Sequence, residues 1–170
     1  NMAGFALDER FALVTIPFRP FQHIASAEGQ ISCLSAIHRH LRPGGHLVFD
    51  IFNPDLDHLM DDSKLKEYGE PIEFALPDGR KAYRLRRTAA RDRQNQVNDE
   101  EAIFYITHPD GRKERRVHRF KMRYLFRYEV EHLLHRCGFD IVALYADFKK
   151  NPYGSKYPGE LVIGAQKRQS

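Results

Sequence analysis

A chain of 170 residues is long enough for one domain with a substantial core. Its composition, 42% apolar and 29% charged, suits a sheet with a solvated addition. No run approaches the roughly 18 apolar residues of a membrane span, and no charged-then-apolar signal peptide opens the sequence. The net charge of +4 is unevenly placed, because Arg80 to Arg127 carries 15 Lys or Arg against 6 Asp or Glu. A basic segment in an otherwise acidic chain points to an anionic partner, an acidic neighbouring surface or a solvated sheet face.

In chain order, Asn1 to Arg10 reads as loop and turn. Phe11-Ala12-Leu13-Val14-Thr15-Ile16 is an apolar, β-branched run, the pattern of a strand buried on both faces. Pro17 and Pro20 forbid further ladder pairing and open a loop through His23. From about Ala27, apolar residues recur at Ile31, Leu34, Ile37 and Leu41, a helical stripe that Pro43-Gly44-Gly45 is expected to end. His46 to Phe52 is the next buried strand. Such a βαβ unit implies a right-handed crossover and a parallel sheet. Asn53-Pro54 then turns the chain into a short polar helix with Leu56 and Leu59 inward.

From Glu67 the character changes. Pro77-Asp78-Gly79-Arg80 and Pro109-Asp110-Gly111-Arg112 are turns flanked by alternating runs, the strongest short hairpin signal. Strands are expected before Pro77, over Lys81–Arg86, over Ala102–Thr107 and over Arg115–Phe126, with Asp92 to Asn95 as a further turn region, giving an antiparallel meander. A helix from about Tyr128 places Val130, Leu133, Leu134 and Cys137 on one face, with Gly138 as its left-handed stop. Ile141–Phe148 and Glu160–Lys167 are two further strands. Their connector, Lys149 to Gly159, is long for a hairpin and is a candidate substrate-facing loop. Cys33 and Cys137 fall on apolar helix stripes, which favours buried free thiols over a disulfide and an intracellular, cytoplasmic setting.

Three pieces together resemble one family. They are Leu41-Arg42-Pro43-Gly44-Gly45-His46-Leu47-Val48-Phe49-Asp50 with the strand and loop before it, the Arg127-to-Phe139 helix ending in Cys137-Gly138-Phe139, and the hairpin of Tyr145-Ala146-Asp147-Phe148 with Leu161-Val162-Ile163. This order and spacing is similar to strands 4 to 7 of class I S-adenosylmethionine-dependent methyltransferases, over residues 1–58 and 123–168. The resemblance implies an α/β fold: the C-terminal half of a Rossmann-like sheet with an inserted antiparallel meander. Residues 1–66 and 123–170 would form the core and 67–122 the insert. One departure stands out: no G-x-G occurs anywhere in the chain, whereas the family's cofactor turn is Gly-rich. The expectation is therefore a C-terminal portion, inactive alone, of a protein that uses S-adenosylmethionine.

Ligands of open parallel sheets bind beyond the carboxyl ends of the strands. The resemblance thus implies that Asn1 and Met2 approach the adenine and that Ile16, Pro17 and Phe18 line the cofactor. His23 is the candidate base, since imidazole titrates near neutrality. Arg19 is a candidate bidentate clamp for an anionic acceptor, and Gln22 a neutral donor and acceptor. Asn53, Tyr124 and Asp147 are candidates for the acceptor pocket. Asp50, a carboxylate inside an apolar strand, is either bonded structurally or turned to the site. His132 and His135 lack a third ligand, so no metal is expected.

The implied function is methyl transfer to a small-molecule N or O acceptor. The insert reads as a lid or dimer surface, as in the sugar N-methyltransferases that the layout also resembles, with a homo-oligomer as the expected state. Two other readings remain open: a non-catalytic association module, and an RNA methyltransferase using Arg84, Arg86, Arg87, Arg115, Arg116 and Arg119 interleaved with Tyr83, Phe104 and Tyr105. No nucleic-acid motif appears, and the lid or dimer is preferred.

Overall fold

The computed structural model describes residues 2–168. Its contacts divide the chain into two compact units, 1–55 with 123–170, and 56–122. The first unit holds β1 (Phe11–Ile16), a 3₁₀ turn (Pro20–His23), α1 (Ala27–His40) and β2 (Leu41–Phe52). After the second unit it continues with α3 (Arg127–Arg136), β7 (Phe139–Tyr145) and β8 (Glu160–Lys167).

The first unit's sheet runs β1-β2-β8-β7. β1 and β2 are parallel, while β8 is antiparallel to both β2 and β7. A parallel pair needs a crossover, and α1 provides it. Ser26 starts α1 by accepting the Gly29 N–H at 3.1 Å, satisfying one orphan donor of the first turn. The helix then buries Cys33, Leu34 and Ile37 against Leu47, Phe49 and Ile51 of β2 and Leu134, Phe139, Leu161 and Ile163. Each such Leu, Ile or Phe side chain contributes about 1.5–3 kcal/mol on leaving water. Lys167 Nζ donates to the carbonyls of His38 and Leu41 at 2.7 and 2.9 Å, capping the helix's far end.

Three details differ from the sequence reading. α1 ends at His40, and Pro43-Gly44-Gly45 lies inside β2. The cause is pairing: Leu41 already faces Phe11, and the next aligned pair is Leu13 with His46, so the Pro-Gly-Gly stretch bulges out. Gly44 takes φ 69, and a Cβ on Gly45 would come within 2.9 Å of the Arg42 carbonyl. Second, β1 is not buried on both faces. Among the described residues it pairs with β2 alone, and Leu13 is 53% exposed. Third, β7 begins at Phe139, directly after Gly138 at φ 86.

The second unit opens with α2 (Leu56–Met60) and a 3₁₀ turn (Asp62–Leu65). Leu56 is exposed rather than inward, and α2 buries no side chain. The four strands β3 (Tyr68–Ala75), β4 (Lys81–Asp92), β5 (Val97–Thr107) and β6 (Lys113–Arg123) form one sheet in that order. The two Asp-Gly turns are built alike: Gly79 N–H donates to Leu76 O and Gly111 N–H to His108 O, both at 2.9 Å, with both glycines at φ 82. β4 and β5 extend well past the expected ends, because Asp92 closes a turn by accepting the Asn95 N–H.

The arginines of this unit are largely spoken for. Arg87 and Arg119 both donate to Glu101 at 2.9 Å, Arg115 to Glu67 at 2.9 Å, and Arg116 to Glu114. Arg91 pairs with Asp62, and Lys121 with Asp99.

Candidate functional site

The parallel pair β1–β2 ends where the Pro17–His23 loop begins. Because β8 is antiparallel, its first residue, Glu160, lies at the same end, opposite Phe52. Asp50 and Phe52 are two residues apart on one strand and share a face. Glu160, paired with Phe52 across the ladder, shares it too.

The loop is held in an uncommon shape. Phe18 and Arg19 have φ of 67° and 63°, so two consecutive non-glycine residues are left-handed, at about 1–2 kcal/mol each. Contacts of Arg19 offset this. Its Nε donates to Glu160 Oε2 at 3.1 Å, and Nη2 donates to Glu160 Oε1, a bidentate pair. The guanidinium lies 3.9 Å over the Phe52 ring. Asp50 Oδ2 sits 3.7 Å from Arg19 Nε, and the Asp50 side chain is only 3% exposed. Among the described residues that Oδ2 has no hydrogen-bond partner. One guanidinium thus faces two carboxylates, and the cluster carries a net −1 when all are ionised.

Gln22 anchors the same loop. It is buried, its Oε1 accepts the Phe52 N–H at 2.8 Å, and its Nε2 donates to the Arg123 carbonyl at 3.0 Å. Both ends of the amide are used on backbone, so Gln22 holds the loop rather than facing an acceptor. His23, the next residue, is exposed at the end of the 3₁₀ turn. Ile16 is buried, Pro17 is exposed and Phe18 is 86% exposed.

The remaining candidates are spread around this end. Met2 packs against the first unit's core, and Asn1 lies outside the described residues. Asn53 Nδ2 donates to the Pro158 carbonyl, tying the end of β2 to the loop before β8. Tyr157 reinforces this tie through its hydroxyl to the Pro54 carbonyl at 3.1 Å. Tyr124 meets Phe126 edge-on at 6.1 Å. Asp147 is a loop staple: Oδ1 accepts the Lys149 and Asn151 N–H groups and Oδ2 the Asn151 side chain. Those bonds, from Asn151 above all, hold its carboxyl below the usual range. Among the described residues no group of three His, Cys, Asp or Glu is arranged to hold a metal ion.

Glu160 and Phe52 were not candidates from sequence. The only local signal was Pro158-Gly159 before an apolar run, which marks a strand start and not a partner for Arg19.

No protein-family model and no curated protein matches this sequence. Solved structures do match. An S-adenosylmethionine-dependent methyltransferase from Clostridium acetobutylicum superposes with TM-score 0.72 at 15% identity, covering 99% of this chain and 63% of that one. The fold is that of the class I methyltransferases. The CcbJ methyltransferase from Streptomyces caelestis gives TM-score 0.70 at 19% identity, over 99% of this chain and 62% of its own. CalS10, an amino pentose methyltransferase from Micromonospora echinaspora, gives 0.65 at 19% identity, over 98% and 62%. The chain therefore spans a little under two thirds of the length of these methyltransferases.

Proposed function

We propose that the protein transfers a methyl group from S-adenosylmethionine to a nitrogen or oxygen of a small molecule, in the crevice beyond β1 and β2. The observation that carries this reading is the anchored, left-handed loop at the end of a parallel pair in a methyltransferase fold, with His23 exposed next to its buried anchor. Solved methyltransferases of the same fold include sugar and glycopeptide N-methyltransferases, which supports a small-molecule acceptor. Four of the six arginines named for an RNA face, Arg87, Arg115, Arg116 and Arg119, pair with carboxylates of their own unit, which counts against the RNA reading.

When bound, S-adenosylmethionine supplies an electrophilic methyl on a sulfonium. The residues present suit one side of that molecule: Pro17 and Phe18 offer apolar surface at the strand end, while Ile16 is buried in the core. No G-x-G turn occurs in the 170 residues, so these residues make one wall and not a whole cofactor site. Methyl transfer relies on alignment and water exclusion more than on strong acid–base groups. Gln22 fixes the loop, and His23 takes at an imidazole nitrogen the proton that the acceptor N–H or O–H gives up. We further propose that the protein works as a homo-oligomer.

The test is incorporation of label from methyl-labelled S-adenosylmethionine into small amines and alcohols by the full-length protein. Labelled product supports the reading, and its absence from every acceptor class contradicts it.

A further inference from the structure

The cluster at the carboxyl end of β2 holds more negative charge than its own chain neutralises. Asp50 is buried, and among the described residues its Oδ2 accepts no hydrogen bond. The nearest cation, Arg19, stands 3.7 Å away but spends Nε and Nη2 on Glu160. A buried carboxylate oxygen without a donor is costly and rare in folded proteins. Beside it the Phe52 ring, itself 39% exposed, presents its face to the Arg19 guanidinium at 3.9 Å. Two carboxylates and an aromatic face on one side of a sheet end are the chemistry of a cation site.

We infer that Asp50, Glu160 and Phe52 form a docking site for the ammonium group of an amine-bearing acceptor, with Arg19 standing in its place when no acceptor is bound. This rests on the methyl-transfer reading and deepens it by naming the acceptor class. An ammonium brings three donors on a compact charge, so it satisfies Asp50 Oδ2 and leaves donors for Glu160, a combination that the planar fork of Arg19 does not achieve. An anionic acceptor meets two carboxylates whose only cation is already bidentate. A neutral hydroxyl supplies one donor and leaves the charge as it was. The left-handed backbone at Phe18 and Arg19 costs about 1–2 kcal/mol per residue, which lowers what releasing Arg19 from the two carboxylates requires.

The test uses the 170-residue chain and three probes of one shape: benzylamine, benzyl alcohol and benzoate. Arg19 guanidinium and Phe52 amide resonances are followed by NMR at neutral pH. Benzylammonium is expected to shift both saturably below about 50 mM, and the two other probes to bind at least about tenfold more weakly. Asp50→Asn is expected to remove most of that preference. Glu160→Gln, which keeps the side chain's shape, is expected to lower it and to free Arg19, so the result does not hang on one variant folding. Absence of a saturable benzylammonium shift overturns the inference, as does equal binding of all three probes or a preference for benzoate. The probes need no cofactor. Ammonium selectivity without methyl transfer would therefore sink the transfer reading alone, and methyl transfer without ammonium selectivity would sink this inference alone.

Discussion

Gln22 holds the last residue of β2: its Oε1 accepts the Phe52 amide N–H at 2.8 Å, joining the turn after β1 to the end of the neighbouring strand. The same side chain donates to the Arg123 carbonyl, so one buried amide closes three backbone segments together. Gln22→Ala strands a part-buried donor, the Phe52 N–H, and a part-buried acceptor, the Arg123 carbonyl. It is expected to cost about 1–3 kcal/mol and to lower the melting temperature by several degrees, read by thermal denaturation. A melting temperature equal to wild type would mean that water replaces Gln22 without loss.

Among the described residues Arg19 is the only counter-charge to Asp50 and Glu160. Arg19→Ala is expected to destabilise by about 1–3 kcal/mol, less than a wholly buried pair because its side chain is 24% exposed. Adding Asp50→Asn to that variant should restore part of the loss, because it removes the charge left unpaired. A double-mutant cycle in chemical denaturation measures this, and strict additivity would show that the two residues do not interact.

Acid should act chiefly on the second unit. Hydrogen bonds from Arg116 and then His108 hold the Glu114 carboxyl down to about 2 from its ordinary 4.5. Burial pushes Glu101 upward, but its bonds from Arg87 and Arg119 outweigh this and hold it low, while Tyr105 and Arg115 lower Glu67. A carboxyl depressed on folding adds stability above its unfolded value and loses it as pH falls through the folded one. Melting temperature is therefore expected to fall between pH 4.5 and about 2, and Glu114→Gln should flatten that fall. An unchanged profile in the variant would contradict the assignment.

Much of this fold was legible because its signals are local. The Asp-Gly turns, Gly138 and the stripe Ile31-Leu34-Ile37 each act through neighbours within a few residues, and each stands in the element it marked. Where partners are distant, sequence alone fell short. The Pro-Gly-Gly stretch looked like a helix stop, yet its place was set by Leu41 pairing with Phe11. Arg19 and Glu160 lie 141 residues apart, and nothing near either announces the other. Gln22 looked like a donor for a ligand, and the backbone of Phe52 and Arg123 consumes it. Polar residues in a loop carry chemistry in their type, but their availability depends on folded partners.

Association is expected through exposed apolar surface. β1 pairs on one side only among the described residues, and Leu13 stands open on it. Separately, Ile72, Phe74, Arg84 and Phe104 line a groove of about 230 Å³ on the β3–β5 face. Sedimentation at tens of micromolar is expected to show a dimer or larger species. Leu13→Lys should shift it toward monomer if the strand edge is the contact, since charge on an edge opposes strand pairing. A wild-type monomer would contradict self-association.

The most direct test of the central claim is turnover and melting measured together on His23→Ala in the full-length protein. His23 is exposed at the end of a turn that Gln22 anchors, so its removal should lower the melting temperature by less than Gln22→Ala does. If His23 accepts the acceptor's proton, turnover should fall by about a hundredfold or more, with affinity for S-adenosylmethionine little changed. Wild-type turnover in His23→Ala would remove the Pro17–His23 loop from the chemistry and contradict the account.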